Sequence, residues 1–381
     1  MKAHCSVVAL GWIALYAVDV AAQTRTFRDR PEILLGLALD RSPSLSFADV
    51  DQDGNLDAIV ANGRHWPQAN EVFLNNGKGR FTIGYRLGEE LSTSYAVPAG
   101  DVDGDGDVDV VVANDQAPNM IYANDGSGRF ALAGVLGPEV EPTRDVVLAD
   151  LNGDEWLDAV VTNRGVENGI YLNRGQGRNR GQGRFGAKRG FGTSDDSTIS
   201  LAVADVNRDG RPDLVLANRD GQGNAVYLND EELSFSTSHP FGTGKDETRA
   251  VAVADLDGDG HPDIVTANIG EANGIYFGLG TGRFDDGLRF GRADGATYSV
   301  ALADLDADGD MDIVVGNRGM QNAAYFNRGG GRSFVELRFG GAENITYGVA
   351  VGDVNGDGFP DIGVANSDGL NGIYINRSRA R

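Results

Sequence analysis

One segment occurs seven times in the chain, and this repetition limits the possible fold more than any other feature. The copies read ADVDQDGNLDAIVAN, GDVDGDGDVDVVVAN, ADLNGDEWLDAVVTN, ADVNRDGRPDLVLAN, ADLDGDGHPDIVTAN, ADLDADGDMDIVVGN and GDVNGDGFPDIGVAN. Their first aspartates, Asp49, Asp101, Asp150, Asp205, Asp255, Asp304 and Asp353, are spaced by 52, 49, 55, 50, 49 and 49 residues. The excess over 49 lies in loops. Asn62 to Asn70 is three residues longer than Asn114 to Asn119, RGQGRN is duplicated as RGQGRF between Asn173 and Phe185, and Asn218 to Asn224 is longer by one. A fixed period with variable loops is one supersecondary unit repeated.

Within each unit, runs of β-branched residues mark strands and glycine-rich steps mark turns, so the fold class is all-β. In the fifth unit TRAVAVAD, DIVTAN and NGIYFG read as three strands, and GLGTGRF turns the chain into a fourth. Four short strands per unit, seven times, predict a seven-bladed β-propeller with four-stranded blades and a metal loop in each. The last unit stops at NGIYINRSRAR, before any fourth strand, while TRTFRDRPEILLG precedes the first unit. Phe27 lies 22 residues before Asp49, much as Phe81 lies 20 before Asp101, so an N-terminal strand around Phe27 is expected to complete the last blade and close the ring.

Each unit presents oxygen side chains at positions 1, 3, 5 and 9 of a nine-residue loop. They are Asp49, Asp51, Asp53 and Asp57; Asp101, Asp103, Asp105 and Asp109; Asp150, Asn152, Asp154 and Asp158; Asp205, Asn207, Asp209 and Asp213; Asp255, Asp257, Asp259 and Asp263; Asp304, Asp306, Asp308 and Asp312; and Asp353, Asn355, Asp357 and Asp361. Alternate oxygens wrapped round a point suit a hard cation, with the turn made by glycine at position 6. Glu155 replaces that glycine in the third loop, which makes it the weakest of the seven. An EF-hand would need glutamate at position 12, where Val60, Val112, Val161, Leu216, Thr266, Val315 and Val364 stand. Up to seven Ca²⁺ are expected, and they would offset fourteen of the 23 net negative charges.

These loops, with the following N-x-[IV]-Y-[LFI]-N and G-x-G-x-F steps, resemble the FG-GAP or VCBS repeats of integrin α propellers and of many secreted microbial proteins. The resemblance implies calcium loops joining the first and second strands of each blade on one face. It leaves the ligand open, since relatives include adhesion modules, lectins and polysaccharide-degrading enzymes.

Strand alternation would put a ligand on the opposite face. There each innermost strand is preceded by Ser or Thr and a variable residue: Pro43, Tyr95, Arg144, Ile199, Arg249, Tyr298 and Tyr347. Tyr95, Arg144, Arg249, Tyr298 and Tyr347 are candidate ligand residues for a sugar, a carboxylate or a peptide side chain, and equally candidate lids over the channel. His65 and Trp66, in the longest loop of the first unit, join them.

Residues 1–22 read as a signal peptide: Lys2 and His4 open it, an apolar run extends from Cys5 to Val18, and small residues end it at Ala22. The mature chain, residues 23–381, is then one secreted domain, extracellular or periplasmic, without a membrane span, expected to be a monomer. Cys5 is the sole cysteine, so neither disulfides nor thiol catalysis is available after cleavage. The negative charge argues against nucleic acid as a partner and leaves a glycan or an extracellular protein. The mature chain has three histidines, His65, His239 and His261, and no triad, zinc cluster or phosphate loop stands out. The main expectation is a non-enzymatic binding module. The alternative is a polysaccharide lyase using Tyr, Arg or His at the channel mouth, recognised by their convergence on one pocket; a scaffold role is the third.

Overall fold

The computed structural model describes residues 27–176 and 183–378. The signal-peptide reading of 1–22, with Cys5, lies outside them, as does the middle of the 173–185 duplication. No helix occurs among the described residues, and so none is long and apolar enough to cross a membrane. The fold is all-β, built from antiparallel sheets of consecutive strands.

The fifth unit shows the pattern. Thr248–Ala254, Asp263–Asn268, Asn273–Tyr276 and Leu288–Phe290 pair in chain order, following the strands read from the sequence. Asp263–Asn268 is buried along its whole length, because it is covered on both faces. The first, fourth and sixth units form four-stranded sheets of the same order. The second and third are joined into one larger sheet, where the outer part of Asp109–Ala117 pairs with the start of Glu141–Ala149. Pro98 interrupts the first strand of the second unit, splitting it into Ser94–Ala96 and Ala99–Gly100, since proline has no N–H for the ladder. In the third unit Asn173–Gln176 and Gly183–Phe185 form a separate hairpin.

The last sheet takes its fourth strand from the other end of the chain. Ile33–Leu34 pairs antiparallel with Gly372–Tyr374, with Ile33 opposite Ile373. The pairing strand therefore lies six residues beyond Phe27. Phe27 instead packs its ring 5.5 Å from that of Phe339, in the apolar cluster between the sixth and last sheets.

Sheets meet face to face, and every apolar cluster is shared between successive units. Val160 and Ile170 of the third pack with Leu214 and Leu216 of the fourth, for example. One cluster joins the ends of the series, with Leu45 and Ala58 of the first unit against Ala365 and Ile373 of the last. The first strands follow the same order: Thr248–Ala254 touches Thr297–Ala303, which touches Thr346–Gly352, which touches Ser44–Ala48.

Candidate functional site

The aspartate loops and the candidate ligand residues sit at opposite ends of these first strands. Arg249 is the second residue of Thr248–Ala254 and Asp255 follows its last, a separation of about 20 Å at the rise of an extended chain.

In every loop the position-1 carboxylate accepts the N–H of position 6, from Gly54 at 2.9 Å through Glu155 at 2.8 Å to Gly358 at 2.7 Å. The position-5 carboxylate accepts the N–H of position 7, as Asp53 does from Asn55 at 2.9 Å. These bonds template a tight wrap that needs left-handed backbone at position 6. Glu155 adopts it at φ 71° where Gly54 has 86°. Position 4 is left-handed too, although Gln52, Arg208 and Ala307 occupy it in three loops, so composition gave no hint of it.

Carboxylate oxygens converge within 4.8 Å of one another in Asp49, Asp51 and Asp53; in Asp101, Asp103 and Asp109; in Asp255, Asp257 and Asp259; and in Asp304, Asp306 and Asp308. These groups could hold a metal ion. Asp49 Oδ1 is buried without a hydrogen-bond partner in the first of them, an orphaned acceptor that a hard cation would satisfy. The three remaining loops carry Asn152, Asn207 or Asn355 at position 3. The Asn152 and Asn207 amides donate to Asp154 and Asp209 at 3.0 Å, and Arg211 also reaches Asp209 at 2.5 Å.

Position 9 makes a pair of backbone bonds, one of them beyond the loop, that the other three do not, although Asp109 also stands in a converging group. Asp263 is buried, and its two oxygens accept the N–H groups of Leu256 and Gly278, each at 2.8 Å. Asp57, Asp109, Asp158, Asp213, Asp312 and Asp361 make the equivalent pair of bonds. This carboxylate bolts the start of the loop to the third strand. Burial pushes the carboxyls up, to about 6 in Asp57, Asp158, Asp213 and Asp263 and about 7 in Asp109 and Asp361, against the opposing pull of the N–H bonds.

The third strand supplies another feature that sequence reading missed. Asn124 Nδ2 donates to the carbonyl of Val50 in the preceding unit's loop at 2.7 Å. Asn173, Asn229, Asn327 and Asn376 do the same, and Asn75 reaches Val354 of the last unit. In the fifth unit Gly278 stands in that place.

At the other end, Tyr95, Arg144, Ile199, Arg249, Tyr298 and Tyr347 each fall at a register shift of the first strand, between the paired residues on either side. A bulge breaks the alternation of the pleat and re-aims one side chain. All six, with Arg64 and His65, line a single cavity of about 170 Å³. The Ser or Thr before each bulge is buried. Thr143 accepts from Asn119 of the preceding unit and donates to Asn163 of its own, and the corresponding Asn371 to Ser42 bond joins the last unit to the first.

Two further arginines, Arg164 and Arg219, line the cavity from the residue after the second strand. Their signal was legible as the charged residue directly following the strand-ending asparagine, at Asn163 and Asn218. Trp66 does not line it; the residue is 64 % exposed, with the Arg41 guanidinium over its ring at 6.0 Å.

The cavity is strongly basic. Arg144 pairs with Asp115 at 2.8 Å, Arg164 with Asp220 at 2.9 Å and Arg219 with Glu247 at 3.2 Å. Arg144 also lies over Tyr95 at 4.5 Å and Arg64 over Tyr347 at 4.0 Å. The Tyr298 and Tyr347 rings meet edge to face at 4.5 Å, with Arg318 donating to the Tyr298 hydroxyl at 3.2 Å. His65 has left-handed backbone at φ 71°, and its Nδ1 sits 3.3 Å from the Tyr95 hydroxyl. Burial, then the charges of Arg64 and Arg144, lower the His65 pKa, while burial raises that of Tyr95.

The FG-GAP-like repeat profile matches six overlapping stretches, 49–112, 101–161, 150–216, 205–266, 255–315 and 304–364. The chain belongs to the FG-GAP-like repeat family. No curated protein matches it. Among solved structures it is similar to the BP39L lectin from Burkholderia pseudomallei, with a TM-score of 0.62 at 13% identity over 90% of this chain and all (100%) of that one. It also resembles BBS1N in complex with ARL6DN, with a TM-score of 0.60 at 14% identity, covering 92% and 97% of the two chains. The V. cholerae biofilm matrix protein Bap1 gives a TM-score of 0.54 at 12% identity, with 93% and 92% covered. These likenesses establish the repeat-propeller fold.

Proposed function

We propose that the mature chain is a secreted, monomeric seven-bladed propeller that binds calcium in its aspartate loops and captures a glycan or an extracellular protein at the opposite mouth of its central channel. The observation that carries the reading is the convergence of bulged residues from six units on one basic cavity, with Arg64 and His65 supplied by the remaining unit. Packing alone does not require arginine and tyrosine at successive bulges. Sheet-to-sheet contacts that run on from the last unit to the first support seven blades in a closed ring. The converging carboxylates and the orphaned Asp49 oxygen support calcium. Lectin and biofilm-matrix proteins among the similar folds are consistent with a binding module. A glycan and protein binding screen in calcium tests the reading, with Arg144→Ala/Arg249→Ala as the control. Binding that is lost in the double variant while its melting temperature is kept supports the mouth as the site. Undiminished binding would move it elsewhere.

A second reading, a polysaccharide lyase at the same mouth, is favoured by His65, Tyr95 and Arg144 meeting in that cavity. A neutral His65 would take the proton α to a uronate carboxylate and Tyr95 would protonate the leaving oxygen, forming a carbon–carbon double bond as the glycosidic bond breaks. Because the His65 pKa is lowered, the base stays unprotonated at neutral pH, and turnover should decline only below the ordinary histidine range. Ultraviolet absorbance of an unsaturated product, absent in His65→Ala, would establish it; no absorbance with any uronate polymer would leave the binding module.

A further inference from the structure

The charge balance inside the mouth narrows the ligand. Of its five lining arginines, three are already paired, Arg144 with Asp115, Arg164 with Asp220 and Arg219 with Glu247. Arg64 and Arg249 form no ion pair with a carboxylate among the described residues. Arg64 donates to Ser367 Oγ at 3.1 Å and keeps a buried Nε without a partner. Arg249 lies 5.9 and 5.8 Å from the Tyr298 and Tyr347 rings. The buried carboxylate of Asp145 attracts Arg249 at longer range than an ion pair, while accepting the N–H groups of Val146 at 2.9 Å and Leu201 at 3.2 Å. Two guanidiniums thus line a part-enclosed space without a carboxylate in ion-pair contact, on a chain whose formal charge is −23. Desolvated, uncompensated cations are costly unless an anion completes them.

The other groups in the cavity say what carries that anion. Tyr95, Tyr298 and Tyr347 hydroxyls and the His65 ring offer several donors and acceptors around the arginines. An acidic protein side chain would use the arginines alone and leave this array unmatched, whereas a sugar ring presents hydroxyls on several sides together with its acid group. A cavity of about 170 Å³ takes one such ring, and the acidic remainder of the surface repels a long polyanion laid flat.

Resting on the mouth as the binding site, we infer that the cavity recognises one anionic sugar unit of a polysaccharide, its carboxylate or sulfate held by Arg64 and Arg249 and its hydroxyls met by the tyrosines. The test is calorimetry on the full mature chain in calcium with four probes: an oligogalacturonide, its fully methyl-esterified counterpart, a sulfated oligogalactan and poly-glutamate. The expected result is binding of the oligogalacturonide or the sulfated oligogalactan, the arm that binds identifying the acid group. The neutral ester should bind at least tenfold more weakly than the acid if the carboxylate is the group read. Arg64→Gln and Arg249→Gln should each weaken binding about tenfold. Should either variant fold poorly, raising salt tenfold on the unaltered protein must weaken the same interaction. Equal binding of ester and acid, without sensitivity to the arginines, would overturn the inference while leaving a glycan site. Binding of poly-glutamate alone would overturn it in favour of an acidic protein partner. Binding of none of the four would overturn it as well, and the mouth reading would fall separately if the broad screen found a ligand indifferent to Arg144→Ala/Arg249→Ala.

Discussion

Position 9 of the fifth loop separates two roles that sequence pattern alone merges, whereas Asp109 at position 9 of the second combines them. Asp259 stands among converging carboxylates, whereas Asp263 spends both oxygens on backbone N–H groups. Asp263→Ala should therefore destabilise the protein by about 3 kcal/mol with or without calcium, because it strands two buried donors. Asp259→Ala should lower the melting temperature in calcium and change little in chelator. Thermal melts of both variants under both conditions check the distinction, and equal calcium dependence would remove it. Glu155 offers a converse test. Its left-handed backbone is strained for a residue with a Cβ, so Glu155→Gly should stabilise by about 1 kcal/mol. An unchanged or lower melting temperature would mean that the Glu155 side chain compensates.

At the scale of elements, the short strand Ile33–Leu34 covers the edge of Gly372–Tyr374, with Glu32 N–H bonded to Ile373 and Leu35 N–H to Asn371, each at 3.0 Å. Deleting residues 23–34 should expose that edge and produce oligomers in size-exclusion chromatography together with a lower melting temperature. A monomer with an unchanged melt would argue against closure by this strand. The sequence showed that TRTFRDRPEILLG had to complete the last unit, since NGIYINRSRAR stops short, and the pairing strand lies in that segment, six residues beyond the Phe27 on which the spacing centred it. Aromatic residues recur for packing as well as for pairing, and Phe27 serves the former against Phe339. Strand identity was readable throughout the fifth unit because burial on both faces demands unbroken β-branched runs. The bulges at Arg144, Arg249 and their equivalents were invisible, since a register shift depends on the partner strand. These positions, expected just before each first strand, lie within it; variability in a regular repeat had singled them out because it marks residues that packing does not dictate. Arg164 and Arg219 were overlooked because they follow the second strand, and only the folded sheet brings its end beside the start of the first.

For the whole molecule, the balance of charge predicts a stability that depends on cations. The aspartate loops hold closely spaced carboxylates, and a divalent ion between them would relieve their mutual repulsion. A site filled at a hundredfold excess over its dissociation constant contributes roughly 2.7 kcal/mol. Four such sites would shift the melting temperature by more than about ten degrees in a chain of this size. Removing calcium with a chelator should produce that fall, and magnesium should restore it poorly because it holds a tighter octahedral shell. Identical melts in calcium and chelator, on protein shown to be metal-free, would overturn the assignment. The loops with asparagine at position 3 should fill last in a calcium titration, since the Asn152 and Asn207 amides already occupy Asp154 and Asp209.

The antiparallel register of Ile33–Leu34 on Gly372–Tyr374 also decides how the molecule bears mechanical load. The segment entering at Glu32 and the segment leaving at Ile375 emerge side by side, and Arg377 reaches Glu32 at 3.3 Å across them. Force pulling those two segments apart would act on one hydrogen bond at a time, peeling the pair as a zipper opens instead of shearing it. A molecule stretched across that pair would yield there first, at low tension.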